Sequence, residues 1–201
     1  VAMPPAEETT QWVQDLSPFL IRCNESFGIR SYGRSYLLGF ALGGWILYLA
    51  ACRGRLALKP EAVADLMTAL VIGVMVGGRL GYFALYEPMT LLREPIQLIR
   101  VWDGGMASHG GFVGVAAAIA WFVRKHDIRF FALADAVIAV APLGIGLGRV
   151  ANFINGELWG RVTEVSWGVI FPASAAPGTS LAGIPARHPS QLYAAMLEGF
   201  L

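Results

Sequence analysis

The sequence predicts an all-α polytopic membrane protein, with four full transmembrane helices, the start of a fifth and an ordered loop domain on the outer face. Three observations carry that expectation. Hydrophobic residues make up 56% of the chain and charged residues only 14%, against about 25% charged in a soluble domain. Mean hydropathy is +0.56. The apolar residues fall in separate runs, several close to the ~20 positions that cross a bilayer. The formal net charge of +1 leaves no basic surface that would call for nucleic acid. Glycine is abundant without any period, and small residues let membrane helices pack closely.

The elements follow in order. Residues 1–34 precede the first span. Their start is acidic and contains proline, with no basic stretch before an apolar core, so no cleavable signal peptide is expected. Ser35–Cys52 is 18 residues without a charge. Leu66–Leu85 is interrupted only by Arg79. Gly110–Val123 is shorter and extends back through Gly104–His109. Phe130–Leu147 carries one acid, Asp135. The four spans thus fill residues 35–147. Residues 148–190 are too long for a turn; with Trp159, Trp167, Phe171 and four prolines they predict an ordered cap whose aromatics sit at headgroup level. Residues 191–201 open a fifth span of about 16 Å, half the hydrocarbon thickness, so the chain is expected to be truncated there.

Loop charge gives an orientation. Arg53, Arg55 and Lys59 lie between the first two spans, and Arg124, Lys125 and Arg129 between the third and fourth. Short basic loops stay on the cytoplasmic side. The amino-terminal segment, the loop near 87–103 and the loop 148–190 then share the outer face. Cys23 and Cys52 match no metal or redox spacing, and they fall on opposite faces, so no disulfide is expected.

Four places put polar groups at that outer face. Gly144–Gly160, GIGLGRVANFINGELWG, packs Arg149, Asn152, Asn155 and Glu157 together at the end of an apolar run. Ionisable groups at such depth usually line a cavity and have a function. The guanidinium fork of Arg149 suits phosphate. The competing reading is a buried network in which Glu157 neutralises Arg149. His109 sits between paired glycines in GGMASHGG, with a structural role the alternative. Tyr32, ahead of the first span, reads as an interfacial anchor when taken alone. RHPSQLY (Arg187–Tyr193) reads as a helix start, with Pro189 in the first turn and Ser190 or Gln191 capping. Inside the second span Arg79 needs a partner; Glu157 or a lipid phosphate fits better than Asp135, which lies nearer the cytoplasmic end.

These stretches resemble the bacterial prolipoprotein diacylglyceryl transferase family. RVANFINGELWG (Arg149–Gly160) resembles the family signature, and GGRLGYFALY (Gly77–Tyr86), GGMASHGGFVGV (Gly104–Val115) and RHPSQLY follow in the family's order from about Phe27 onward. The chain departs from it at Arg34, Ala151 and Ala194. The resemblance implies a multi-pass protein of the bacterial inner (plasma) membrane. Its amino terminus and active cavity would lie on the outer, periplasmic face. Such a protein transfers the diacylglyceryl group of phosphatidylglycerol to the lipobox cysteine of a prolipoprotein signal peptide, without metal or cofactor. It implies catalytic roles for His109, Tyr32, Asn152 and Glu157, with Arg149, Asn155, Gly160 and Arg79 on the phosphatidylglycerol side. The alternative is a truncated, inactive relative that binds the lipid without turnover. A solute transporter would need more polar residues deep in the spans and some repeat symmetry.

Overall fold

A computed structural model describes residues 11–17, 19–22, 28–100, 102 and 104–199. It is mostly helical. The long helices are α1 (Ser31–Cys52), α2 (Ala62–Leu85), α4 (Ser108–His126) and α5 (Phe130–Ile154), with a short α3 (Pro88–Arg93) between α2 and α4 and a final α6 (Ser190–Gly199). Among the described residues three helices are long and apolar enough to cross a membrane: α1 from Gly33, α2 and α5. The expected third span forms helix α4, but its apolar middle is bounded by His109 at one end and by Arg124, Lys125 and His126 at the other. Large apolar side chains stay exposed along the helices, among them Leu37, Ile72, Val113 and Ile138. An apolar surface of that extent suits lipid rather than water.

The chain divides into two compact units, Val1–Leu42 with Ala141–Leu201, and Gly43–Val140. In the second unit Leu47 of α1, Leu66 of α2, Phe122 of α4 and Leu133 of α5 form an almost fully buried core. Leu56 and Leu58, from the basic α1–α2 loop, join that core beside Val123 and Ile128. Both basic loops therefore sit at one end of the unit. Helices α2 and α4 touch through glycine. A Cβ on Gly77 would come to 2.3 Å from the Gly110 carbonyl oxygen, and one on Gly114 to 1.9 Å from that of Gly73. Only hydrogen at these positions allows the backbones to meet.

In the first unit β1 (Trp12–Val13) pairs in parallel with β4 (Val169–Ile170), Trp12 opposite Val169. A separate hairpin joins β2 (Phe19–Arg22) to β3 (Gly28–Arg30). Ile170, Ile184 and Ala186 close a small apolar core over which residues between α5 and α6 are ordered. Trp12 stacks on Phe153, Phe153 meets Phe171 edge-on, and Trp159 stacks on Phe171. Phe171 is fully buried, which corrects its expected place at headgroup level; Trp167 alone of the three is largely exposed. Cys52 carries a free thiol, and Cys23 lies outside the described residues.

Candidate functional site

Helix α5 does not stop where its apolar run ends. It continues to Ile154, so Arg149 and Asn152 stand on its last turns. The stop is made by Asn155–Gly156. Gly156 takes φ +66°, the Glu157 amide donates to the Asn152 carbonyl at 3.1 Å, and the Gly156 amide to Phe153 at 3.0 Å. That is a Schellman ending, in which a left-handed glycine satisfies the helix's last carbonyls. Gln14 adds to this: its side-chain Nε2 donates to Ile154 O at 2.7 Å and is a second donor to Phe153 O at 3.3 Å. Nothing in the sequence pointed to Gln14, which is buried against this turn.

Of the signature side chains, the turn joins Asn155 to Glu157, while Arg149 reaches α6. Arg149 donates from Nε and Nη2 to the two carboxylate oxygens of Glu198 on α6, at 2.9 and 3.3 Å. The competing reading of the sequence had paired Arg149 with Glu157; the carboxylate it meets is that of Glu198. Close packing of Gly146 on Gly199 sets the register that puts Glu198 opposite Arg149. Both side chains are over a third exposed (36% and 43%), so the fork remains reachable. Asn152 is buried. Asn155 Nδ2 donates to Glu157 Oε1 at 3.0 Å.

RHPSQLY proves to be a clamp on the residues after the turn. Gln191 Nε2 donates to the Glu157 carbonyl, Ser190 Oγ to that of Leu158 at 3.0 Å, and Arg187 Nη1 to that of Gly160 at 3.3 Å. The Gly160 amide donates to His188 O at 2.9 Å. A Cβ on Gly160 would lie 2.8 Å from that same oxygen, so glycine is required there by space. Ser190 and Gln191 thus spend their polar groups on Glu157 and Leu158 rather than on capping α6. Leu158 sits at φ +54°, a region that costs a branched side chain about 1–3 kcal/mol, and the bonds to its own and the preceding carbonyl hold it there. Beyond the clamp, Trp167 Nε1 donates to the Tyr193 hydroxyl at 2.8 Å, and His188 Nδ1 lies 3.2 Å from the same oxygen.

In the other unit His109 occupies the first turn of α4, exposed. The Ala107 amide ties that start to the Gly78 carbonyl of α2 at 2.9 Å. Arg79 fixes the segment before it. Its side chain is only 4% exposed. Nη1 donates to the carbonyls of Gly104 and Gly105, and Nη2 to those of Gln97 and Arg100. The guanidinium also lies 4.9 Å from the Phe83 ring centre. The sequence suggested Glu157 or a lipid phosphate as the partner of Arg79; here its two terminal nitrogens bind backbone carbonyls, and its buried Nε has no partner. A groove of about 760 Å³ runs from His109 between α2 and α4, walled by Ile72, Val76, Leu80, Val113 and Trp121 over the glycine seam. Apart from His109 its lining is apolar. Tyr32 falls in the first turn of α1, and its side chain lies outside the described residues. Among the described residues no cluster of His, Cys, Asp and Glu could hold a metal ion.

Comparison with known proteins gives one consistent result. The profile of a family described as prolipoprotein diacylglyceryl transferase matches residues 18–201. A phosphatidylglycerol–prolipoprotein diacylglyceryl transferase of Geobacter sulfurreducens is 50% identical over 170 residues, which cover 85% of this chain and 62% of the relative. The one from Solidesulfovibrio magneticus is 49% identical over 173 residues, again 85% and 62%. That of Vibrio vulnificus is 44% identical over 173 residues, 86% and 61%. The chain therefore spans about three-fifths of the length of these relatives.

Proposed function

The chain belongs to the prolipoprotein diacylglyceryl transferase family, and from that membership we propose that it transfers the diacylglyceryl group of phosphatidylglycerol to the lipobox cysteine of a prolipoprotein. The observation that carries the reading is the turn at Asn155–Gly156. It ends the apolar helix that carries Arg149 and Asn152, bonds Asn155 to Glu157, and is clamped by a second motif.

The protein sits in the bacterial inner membrane as four spans with the start of a fifth. Residues 1–34 and the cap 148–190 lie on the outer face. The shared end of the two basic loops supports that orientation, because positive loops stay inside. Arg149 binds the lipid phosphate, exchanging the Glu198 carboxylate for it; both anions accept two hydrogen bonds from a planar guanidinium. Asn152 and Asn155 orient the glyceryl region, Glu157 holds Asn155, and Gly160 keeps the chain close to the clamp. His109 takes the proton of the incoming cysteine thiol, helped by Tyr32, since the thiolate is the nucleophile. The thiolate forms a C–S bond at the glyceryl carbon, and the C–O bond to phosphate breaks. Glycerol phosphate leaves with the electron pair, its charge met by Arg149. The nucleophile arrives with the substrate, so the enzyme needs no serine or cysteine of its own. Arg79 acts at one remove, by holding the segment that leads to His109.

Incubating the chain with phosphatidylglycerol and a lipobox peptide tests this reading. A diacylglyceryl mass gain on the peptide cysteine is expected. Phosphatidylglycerol binding without any mass gain would replace it with the non-catalytic reading, which the relatives' names do not favour.

A further inference from the structure

Two buried amide oxygens flank Glu157 without a partner. Gln191 is only 2% exposed, and its Oε1 has no hydrogen-bond donor; Asn155 Oδ1 is buried and equally unpaired. Their orientation is dictated by chemistry. Gln191 Nε2 faces the Glu157 backbone carbonyl, and Asn155 Nδ2 faces the Glu157 carboxylate. Both of those oxygens only accept, so each amide must present its nitrogen to Glu157 and its oxygen elsewhere. A flipped amide would set oxygen against oxygen. The turn therefore carries two fixed acceptors that await donors, and buried polar groups in native proteins are almost always satisfied.

We propose that Gln191 and Asn155 form a hydroxyl-reading subsite, their two side-chain oxygens accepting hydrogen bonds from the hydroxyl groups of the donor lipid's headgroup. This rests on the reading of phosphatidylglycerol as that donor, and it makes Gln191 a specificity-determining residue. The chemistry matches in number and sign. Two neutral acceptors take two neutral donors, and a glycerol headgroup brings two free hydroxyls. A site built to bond a hydroxyl rejects an analogue that lacks it strongly, because its own buried groups are then left unpaired. Gln191 thus does two things: its nitrogen positions the Glu157 backbone, and its oxygen reads the ligand.

The test compares phosphatidylglycerol with phosphatidylpropanol, which keeps the phosphodiester and three carbons but has no hydroxyl. Binding of each to the detergent-solubilised chain is measured by native mass spectrometry, with phosphatidylethanolamine as a third lipid. The unsubstituted chain should prefer phosphatidylglycerol over phosphatidylpropanol by at least ~30-fold, about two lost hydrogen bonds. Gln191→Met also loses the bond to the Glu157 carbonyl, which weakens both lipids in common, and on top of that should cut the ratio about tenfold. Ser190→Ala, which removes the bond to Leu158 and spares both oxygens, should keep the ratio. A purely structural Gln191 would weaken both lipids by the same factor, so an unchanged ratio in Gln191→Met overturns the proposal. So does equal binding by the unsubstituted chain. That result is expected if Arg187 Nε, the buried unpaired donor on the same segment, closes on these oxygens instead. A preference for phosphatidylethanolamine overturns it in favour of an ammonium site. Should Gln191→Met not fold, the ratios of the unsubstituted chain decide alone. Preferential binding with no thioether product would fail the transferase reading and leave the subsite standing.

Discussion

Arg149 and Arg79 show how one residue type takes opposite roles according to burial. Arg149 meets a single carboxylate at the surface, where such a pair contributes about 0–1 kcal/mol. Its fork is easily released to a ligand. Glu198→Gln removes the competing charge, and phosphatidylglycerol binding should tighten severalfold, as read by the same mass-spectrometric titration; unchanged or weaker binding would mean that Glu198 does not occupy the phosphate position. Arg79 is buried and tied to four carbonyls. Arg79→Met leaves those carbonyls unpaired and should cost about 3 kcal/mol. Unfolding in detergent would report the loss. A stability change below ~0.5 kcal/mol, with lipid affinity reduced, would return Arg79 to the headgroup role that the sequence suggested.

At the scale of elements, the α2–α4 seam places His109. Adjacent glycines give opposite expectations. A Cβ on Gly110 would lie 2.2 Å from the Gly77 carbonyl oxygen, whereas one on Gly111 meets nothing within 4 Å. Gly110→Ala should destabilise by about 1–3 kcal/mol through overpacking. Gly111→Ala should be neutral or slightly stabilising, since glycine in a helix costs about 0.5–1 kcal/mol relative to alanine. Equal effects in a thermal melt would contradict the seam. The apolar runs made these helices legible, because hydropathy marks what lipid must touch. It does not mark where hydrogen bonding stops. The fourth run ends at Leu147, yet α5 goes on to Ile154, and only the Asn155–Gly156 pair carried the signal for its true end. RHPSQLY looked like a helix start and is one. Its grip on Glu157–Gly160 was not legible, since which distant carbonyls a side chain reaches is settled by tertiary packing. Gln14 and Glu198 were missed for the same reason: each is an ordinary polar residue until the fold brings it to the turn.

Across the whole molecule, two motifs far apart in sequence form one device, a signature turn and the clamp that holds it. Family membership gives that device a proposed ligand, and the residues give it a proposed division of labour. In the proposed reaction the fork of Arg149 holds the phosphate of the donor lipid during thioether formation. The direct measurement is the rate at which the lipobox cysteine gains a diacylglyceryl mass from phosphatidylglycerol, for the unsubstituted chain and for Arg149→Lys. Lysine keeps the charge but loses the two-pronged geometry, so the rate should fall at least ~tenfold, the worth of one charge-assisted hydrogen bond. An undiminished rate in Arg149→Lys would contradict the account.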